Sequence, residues 1–287
     1  MTKIAFFDID GTLCNSAGEV LASSVQAIQR FRLDGNLAYI CTGRSNPEIL
    51  DSILDIGFDG VIGAGGGYIA VGDTVIQHQT MPEMAVKEIV AYFDAHDIGY
   101  YLESNDGLFG SVNVVRKIEE EVAKIARHEK VPFETLNQKM TWFYTLIADY
   151  DLDTLDYSRV NKISFINNTL SFSTIHDKYQ QPFHLYHSTV PLYGPESGEI
   201  AVKGVDKKKA VEQVLRHLGL SKEDALAYGD GDNDIAMFEA VGYSVAMANG
   251  TERLKAKASA ITESADEDGI ALSLNELLDR KCKKKTF

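Results

Sequence analysis

Short, largely apolar runs that stop abruptly at loops of glycine and acid recur at both ends of this chain, and they limit its fold more than any other feature. Lys3 to Phe7 halts at Asp8-Ile9-Asp10-Gly11, Leu37 to Cys41 at Thr42-Gly43-Arg44, and Ala225 to Tyr228 at Gly229-Asp230. Val61-Ile62 is a shorter run of the same kind. Runs this short, apolar on both faces and bounded by turn chemistry, read as buried strands of a parallel sheet. Between them the period lengthens. Leu21, Val25, Ile28 and Phe31 are spaced as on a helix across 19–33, and Asn46-Pro47 opens a helix through Leu54 with proline in its first turn. Val211, Val214, Leu215 and Leu218 share one face of a helix from Val205 to Leu218, closed by Gly219. A helix at 233–240, a strand at 243–247, a helix at 251–258, a strand at 259–262 and a helix at 268–278 complete the alternation. Such alternation predicts an α/β fold with a Rossmann-like, doubly wound parallel-sheet core.

The alternation lapses in the middle of the chain. Two strands flank Gly72-Asp73 as a hairpin over 68–78. Residues 83–97 and 114–129 read as amphipathic helices, and 141–148, 161–166, 169–175 and 182–188 as strands. Strands and helices without strict order indicate an α+β unit. The expected organisation is a discontinuous core, 1–81 and 190–287, with an α+β cap domain inserted at 82–189. Pro82 and the Pro191-to-Pro195 stretch are the expected hinges.

Charge narrows the partners. The 287 residues include 42 acidic and 28 basic side chains, a formal net charge of −14. A protein held to nucleic acid by phosphate contacts needs the opposite balance, and an anionic membrane surface repels this one. No apolar run approaches the roughly 18 residues of a spanning helix. The N-terminus turns acidic by Asp8 and so reads as no signal peptide. Cys14, Cys41 and Cys282 are odd in number and far apart, which fits a reducing compartment better than a disulfide framework. A cytoplasmic protein without nucleic-acid or membrane partners is expected. The basic tail, 280–285, reads as a solvated terminus.

Four loops hold residues with chemistry, each where a strand gives way to its connection, the place where open α/β sheets bind ligands. In Asp8-Ile9-Asp10-Gly11-Thr12, carboxylates two residues apart on an extended segment point the same way. Such a pair needs a cation or a proton between its charges, and Mg²⁺ suits oxygen donors. One carboxylate is then available to attack an electrophile and the other to move protons; an acidic turn is the plainer alternative. Thr42-Gly43-Arg44 offers a hydroxyl and backbone N–H groups to an anion at a helix start, or simply caps the helix. Lys207, Lys208 and Lys209 open a helix against its dipole, which implies an anion beside at least one of them. Gly229-Asp230-Gly231-Asp232-Asn233-Asp234 gathers three aspartates that need a metal or strong solvation. It is no EF-hand, since the turn glycine would fall at Ile235 and the last acid at Val241. Gly63-Ala64-Gly65-Gly66-Gly67 is no dinucleotide loop either: Tyr68 takes the third glycine position, so close backbone approach is the better reading.

Taken together, these loops resemble the haloacid dehalogenase (HAD) superfamily of phosphotransferases. DIDGT is similar to its first motif, Thr42 to the hydroxyl of its second, Lys207 to the lysine of its third and GDGDND to its fourth, in family order across nearly the whole chain. Asp10 to Thr42 spans 32 residues, while Thr42 to Lys207 spans 165, room for a large insertion. That placement resembles the C2 cap of the Cof-like, class IIB phosphatases, as do the 68–78 hairpin and the Asn161-Lys162-Ile163 strand. Two departures are Gly65-Gly66-Gly67, where relatives often have Asn-Gly, and Asp232, an extra acid beside the expected metal site.

The resemblance implies a Mg²⁺-dependent phosphatase of small phosphorylated metabolites, sugar phosphates among them. It makes Asp8 the nucleophile that forms an aspartyl-phosphate, and Asp10 the acid that protonates the leaving group and then activates water. Mg²⁺ is expected on Asp8, the Asp10 backbone carbonyl and Asp230, with Asn233 or Asp234 in support. Thr42, Gly43, Lys207 and Asn233 are expected around the phosphoryl group, and the cap is expected to close over the site and choose the substrate. A phosphomutase or phosphotransferase would share this core, differing in whether water or a sugar hydroxyl attacks the aspartyl-phosphate. A non-catalytic ligand-binding protein would be expected to lack one of Asp8, Asp10, Lys207 or Asp230, and all four are present.

Overall fold

The structure, a computed structural model, describes residues 2–284, with side chains through Asp279, so the reading of the 280–285 tail lies outside the described side chains. In chain order the elements are β1 (Ile4–Phe7), α1 (Ala22–Leu33), β2 (Leu37–Cys41), α2 (Asp51–Leu54), β3 (Gly60–Gly63), β4 (Tyr68–Val71) and β5 (Thr74–His78). Then come α3 (Glu83–Ala95), β6 (Gly99–Ser104), β7 (Gly107–Gly110), α4 (Val114–Glu129), α5 (Phe133–Asn137), α6 (Thr141–Ala148), β8 (Val160–Ile166), α7 (Phe172–Tyr179), β9 (Phe183–His187) and β10 (Gly198–Val202). The chain closes with α8 (Lys207–Leu218), β11 (Ala225–Gly229), α9 (Ile235–Ala240), β12 (Tyr243–Ala246), α10 (Glu252–Lys255), β13 (Ala260–Ile261) and α11 (Gly269–Lys284).

Two compact units emerge. The first is Met1–Arg44, Ile49–His78 and Val205–Phe287; the second is Ser45–Glu48 and Gln79–Gly204. The first holds an eight-stranded sheet ordered β13-β12-β11-β1-β2-β3-β4-β5. The strands from β13 through β3 are parallel, and β4 and β5 extend the edge as an antiparallel hairpin. Both faces are buried, which is why the strands are continuously apolar. In β1, Ala5 and Phe7 face the layer containing Ile28, Phe31 and Leu274, whereas Ile4 and Phe6 face the layer containing Val211, Val214 and Phe238. The chain leaves β1 toward β2 on one side and returns through β11 on the other. The loops after β1, β2 and β11 therefore meet at a switch point of the sheet, where a crevice forms.

The second unit is an antiparallel sheet ordered β7-β6-β8-β10-β9. One face carries Leu102, Ile163, Phe165 and Ile200 into an apolar layer with α3 and α7. The other face carries Glu103, Lys162 and Glu199 on adjacent strands. Lys162 lies 2.9 Å from Glu199 and 3.4 Å from Glu103, and the buried Glu103 also accepts from Ser45 and Ser164. Burial there raises the Glu103 carboxyl well above its ordinary range.

Several elements differ from the sequence expectation. The segment 141–148 is helical, because Leu136, Met140, Phe143 and Ile147 are buried at helical spacing while Trp142 is half exposed. That 3.6-residue seam overrides the strand preference of its aromatic and β-branched residues. The segment 169–175 is a turn leading into α7, which Ser171 caps by accepting from the Thr174 N–H. The helix expected from Pro47 to Leu54 is broken, since Leu50 is extended between the Asn46–Glu48 turn and α2. Strands β6, β7 and β10 were not foreseen. Because β10 pairs with both β8 and β9, residues 190–204 belong to the inserted unit; its main segment is bounded at 78–79 and 204–205 instead of 82 and 189, and Ser45–Glu48 joins it as a further short crossing.

The helical seam makes a distinction between neighbours. Phe143→Ala should cost about 3–5 kcal/mol in urea unfolding, and Trp142→Ala less than about 1 kcal/mol. Equal losses would mean that the segment is buried on both faces.

Candidate active site

Strand parity sends Asp8 toward one face of the sheet. It continues the alternation of Ile4 and Phe6, which face the layer holding α8, and its N–H donates to the Tyr228 carbonyl at 3.1 Å. Only 5% of Asp8 is exposed. The side chain it meets is Lys207, the first residue of α8. On that helix the buried positions are Lys207, Ala210, Val211, Val214 and Leu215, so the lysine occupies the first place of an otherwise apolar stripe. Asp206 caps the helix by accepting from the Lys209 N–H at 2.8 Å.

Lys207 Nζ donates to Asp8 Oδ1 at 2.6 Å and to Asp234 Oδ1 at 2.7 Å. Asp234 is fully buried, and its Oδ2 accepts from the N–H groups of Asp230 and Gly231, each at 3.1 Å. It thereby fixes the turn that presents Asp230, whose Oδ1 accepts from the Thr12 hydroxyl at 3.2 Å. Gly11, at φ +71°, leaves this approach open; a Cβ there would run into the Asp230 carboxylate.

Two carboxylates thus share one ammonium, and a third, Asp230, stands beside them. Asp8, Asp230 and Asp234 each offer an oxygen within 4.8 Å of the others. Burial pushes the Asp8 carboxyl up to about 8, and Asp234 adds to the shift while Lys207 opposes it. Burial and then Asp234 raise Asp230 to about 6. Lys207 moves upward too: burial disfavours its charge, but Asp234 and Asp8 outweigh that penalty. The cluster carries two negative charges beyond what Lys207 balances when all three acids are ionised. A hard divalent cation fits both that deficit and the all-oxygen donor set.

The second loop lies alongside. Thr42 is buried, and its hydroxyl accepts from the Arg44 N–H at 3.1 Å. Space beside Gly43 is open, since a Cβ there would meet nothing within 4 Å. The glycine cluster turns out to be a support for this loop. Ala64 N–H donates to the Arg44 carbonyl at 2.8 Å and Gly65 N–H to the Thr42 carbonyl at 3.0 Å. At Gly66, φ +110°, a Cβ would sit 2.5 Å from the Asp206 carbonyl, so the same turn packs against the start of α8.

The other expected residues take separate places. Asp10 does not share the environment of Asp8, because the strand ends at Phe7 and the chain turns at Gly11; its side chain is 65% exposed and pairs with Arg44. Its carboxylate is outside the cluster of Asp8, Asp230 and Asp234. Asn233 is exposed on the Asp232–Asp234 turn. Asp232 points away from the cluster and accepts from Thr251 and Arg253, which removes it as a tuner of the metal site. Lys208 pairs with Glu239, and Lys209 is exposed. Arg44 was read only as a loop residue, and what it does depends on contacts that the motif does not spell out, whereas Gly66 makes the close backbone approach expected of the glycine run.

Comparison with known proteins agrees with this architecture. The family model for haloacid dehalogenase-like hydrolases matches residues 5–274. The 5-amino-6-(5-phospho-D-ribitylamino)uracil phosphatase YwtE of Bacillus subtilis is 28% identical over 285 residues, covering 96% of this chain and 98% of its own. The pyridoxal phosphate phosphatase YbhA of Escherichia coli is 26% identical over 280 residues, covering 94% and 96%. The HAD subclass IIB sugar phosphatase BT4131 superposes with a TM-score of 0.71 at 23% identity, covering 96% of this chain and 99% of that one. Among the described residues no helix is long and apolar enough to cross a membrane.

The raised carboxyls link metal binding to pH. With folded values of about 8 and about 6 for Asp8 and Asp230, against roughly 4 in the unfolded chain, their contribution to stability is full below about pH 4 and is lost as pH rises through those folded values. A divalent cation needs the ionised forms and relieves their repulsion. Millimolar Mg²⁺ should therefore raise the melting temperature more at about pH 8 than at about pH 5. A shift of equal size at both would contradict the cluster as the binding site.

Proposed function

The chain belongs to the haloacid dehalogenase-like hydrolases, as a phosphoric monoester hydrolase, and on that premise we propose that it is a class IIB, Mg²⁺-dependent phosphatase of small phosphorylated metabolites, sugar phosphates foremost, working through an aspartyl-phosphate on Asp8. The observation behind this reading is the buried Asp8 carboxylate at the end of β1, held 2.6 Å from Lys207 beside Asp230 and Asp234. Its relatives YwtE and YbhA are named for phosphorylated substrates of metabolite size.

In this account Asp8 attacks phosphorus, and the bond from phosphorus to the ester oxygen breaks. Asp10 gives that oxygen its proton. Asp10 then takes a proton from water as the water attacks the aspartyl-phosphate, which releases inorganic phosphate and restores the Asp8 carboxylate. Lys207, the Thr42 hydroxyl and the Gly43 N–H hold the phosphoryl oxygens, with Asn233 as a further donor. Phosphoryl transfer needs mainly in-line placement and charge neutralisation, and splitting it into two displacements on a carboxylate is ordinary covalent catalysis. Asp8, the Asp10 carbonyl and Asp230, with Asp234 in support, are the residues to hold the metal. When bound, Mg²⁺ offsets the charge shared by the carboxylates and the phosphoryl oxygens.

Phosphate release from a panel of sugar phosphates and pyridoxal phosphate tests the reading. Release is expected with Mg²⁺ and none with a chelator. Asp8→Asn should abolish turnover with its melting curve intact. A folded wild-type protein that releases no phosphate from any compound would overturn the reading, and an active Asp8→Asn variant would remove the nucleophile.

A further inference from the structure

Asp10 is a poor candidate for a precisely placed group if its backbone alone is considered. It sits past the end of β1, just before the Gly11 turn, with most of its side chain in solvent. A short exposed carboxylate turns freely about its side-chain bonds, whereas proton transfer in a transition state requires a set position. The structure supplies the missing hold in Arg44. Its Nη2 donates to Asp10 Oδ1 at 2.6 Å and its Nε to Asp10 Oδ2 at 3.0 Å, so a planar guanidinium grips both oxygens at once.

The two partners are unequal. The Arg44 side chain is only 18% exposed against 65% for Asp10. The arginine backbone is tied on both sides, its N–H to the Thr42 hydroxyl and its carbonyl to the Ala64 N–H. The guanidinium is therefore the fixed partner and the carboxylate the one being placed. A half-exposed ion pair adds little to stability, typically about 0–1 kcal/mol. What this one provides is orientation.

Resting on the phosphatase reading above, we propose that Arg44 is a positioning residue for that reaction: it acts through Asp10 by two-point capture of its carboxylate and does not bind the phosphoryl group itself. A lysine would keep the charge but lose the fork. The pair also ties the first motif loop to the second, so the acid is placed relative to Thr42 without help from any regular element.

The test uses the full chain and a double-mutant cycle of Arg44→Ala and Asp10→Asn, with Arg44→Lys as the charge-conserving control. Rates are measured on an alkyl phosphate such as a hexose monophosphate and on p-nitrophenyl phosphate, with inorganic phosphate as inhibitor. Arg44→Ala and Arg44→Lys should each lower kcat on the alkyl ester by about ten- to a hundredfold, and less on the aryl ester, whose leaving group needs little protonation. KM and phosphate inhibition should stay within about twofold. Adding Arg44→Ala to Asp10→Asn should cost nothing further. Weakened phosphate inhibition with kcat preserved would make Arg44 an anion ligand and overturn the proposal, as would additive losses in the cycle or unchanged kcat in both arginine variants. Wild-type protein inactive on every ester would instead overturn the phosphatase reading on which the proposal rests.

Discussion

Two buried carboxylates, Asp8 and Asp234, share one buried ammonium, Lys207, and most of the site follows from that arrangement. Removing three charges from water is costly unless each is paired and hydrogen-bonded. Asp234 meets the condition completely, with Lys207 on one oxygen and two backbone N–H groups on the other. Asp8 meets it only in part, and Asp230 stands beside it with the Thr12 hydroxyl as its side-chain partner among the described residues. The unbalanced negative charge has a place and a donor chemistry suited to a divalent cation. With such a cation bound beside Lys207, an acidic protein would attract an anion locally.

The sheet makes this economical in residues. Its order places β1 between β2 and β11, so three loops close in space bring residues from widely separated parts of the chain. The support is layered. Lys207 is aimed by the inner face of α8, α8 is packed against the Gly66 turn, and that turn also holds the backbone of Thr42 and Arg44. Loss of conformational freedom is confined to a few loops, while the strands beneath are fixed by apolar burial on both faces.

Much of this was legible in the chain because burial on both faces writes itself as uninterrupted apolar runs, and the motif loops sit at their ends. Lys207 is singled out among three lysines by its resemblance to the family's third motif, and the structure gives it the first place of the buried stripe it shares with Ala210, Val211 and Val214. Other features depend on geometry that residue types do not encode. Asp232 and Asp234 are two residues apart in one turn, yet one pairs with Arg253 in solvent and the other is fully buried. Asp8 and Asp10 were expected to point the same way, but the strand ends one residue before Asp8. In α6, Trp142, Phe143 and Tyr144 favour a strand by type, and a seam of buried positions decides for the helix. The close backbone approach expected of the 63–67 glycine run is found at Gly66, against the Asp206 carbonyl.

The central claim is that the phosphoryl group passes through Asp8. Acid-quenching the enzyme during turnover of a sugar phosphate, followed by peptide mapping by mass spectrometry, tests it most directly. The account predicts one phosphoryl group on the peptide containing Asp8, absent when the substrate is left out. Turnover without any phosphorylated peptide in rapid-quench samples, or a phosphoryl group on a different residue, would contradict it.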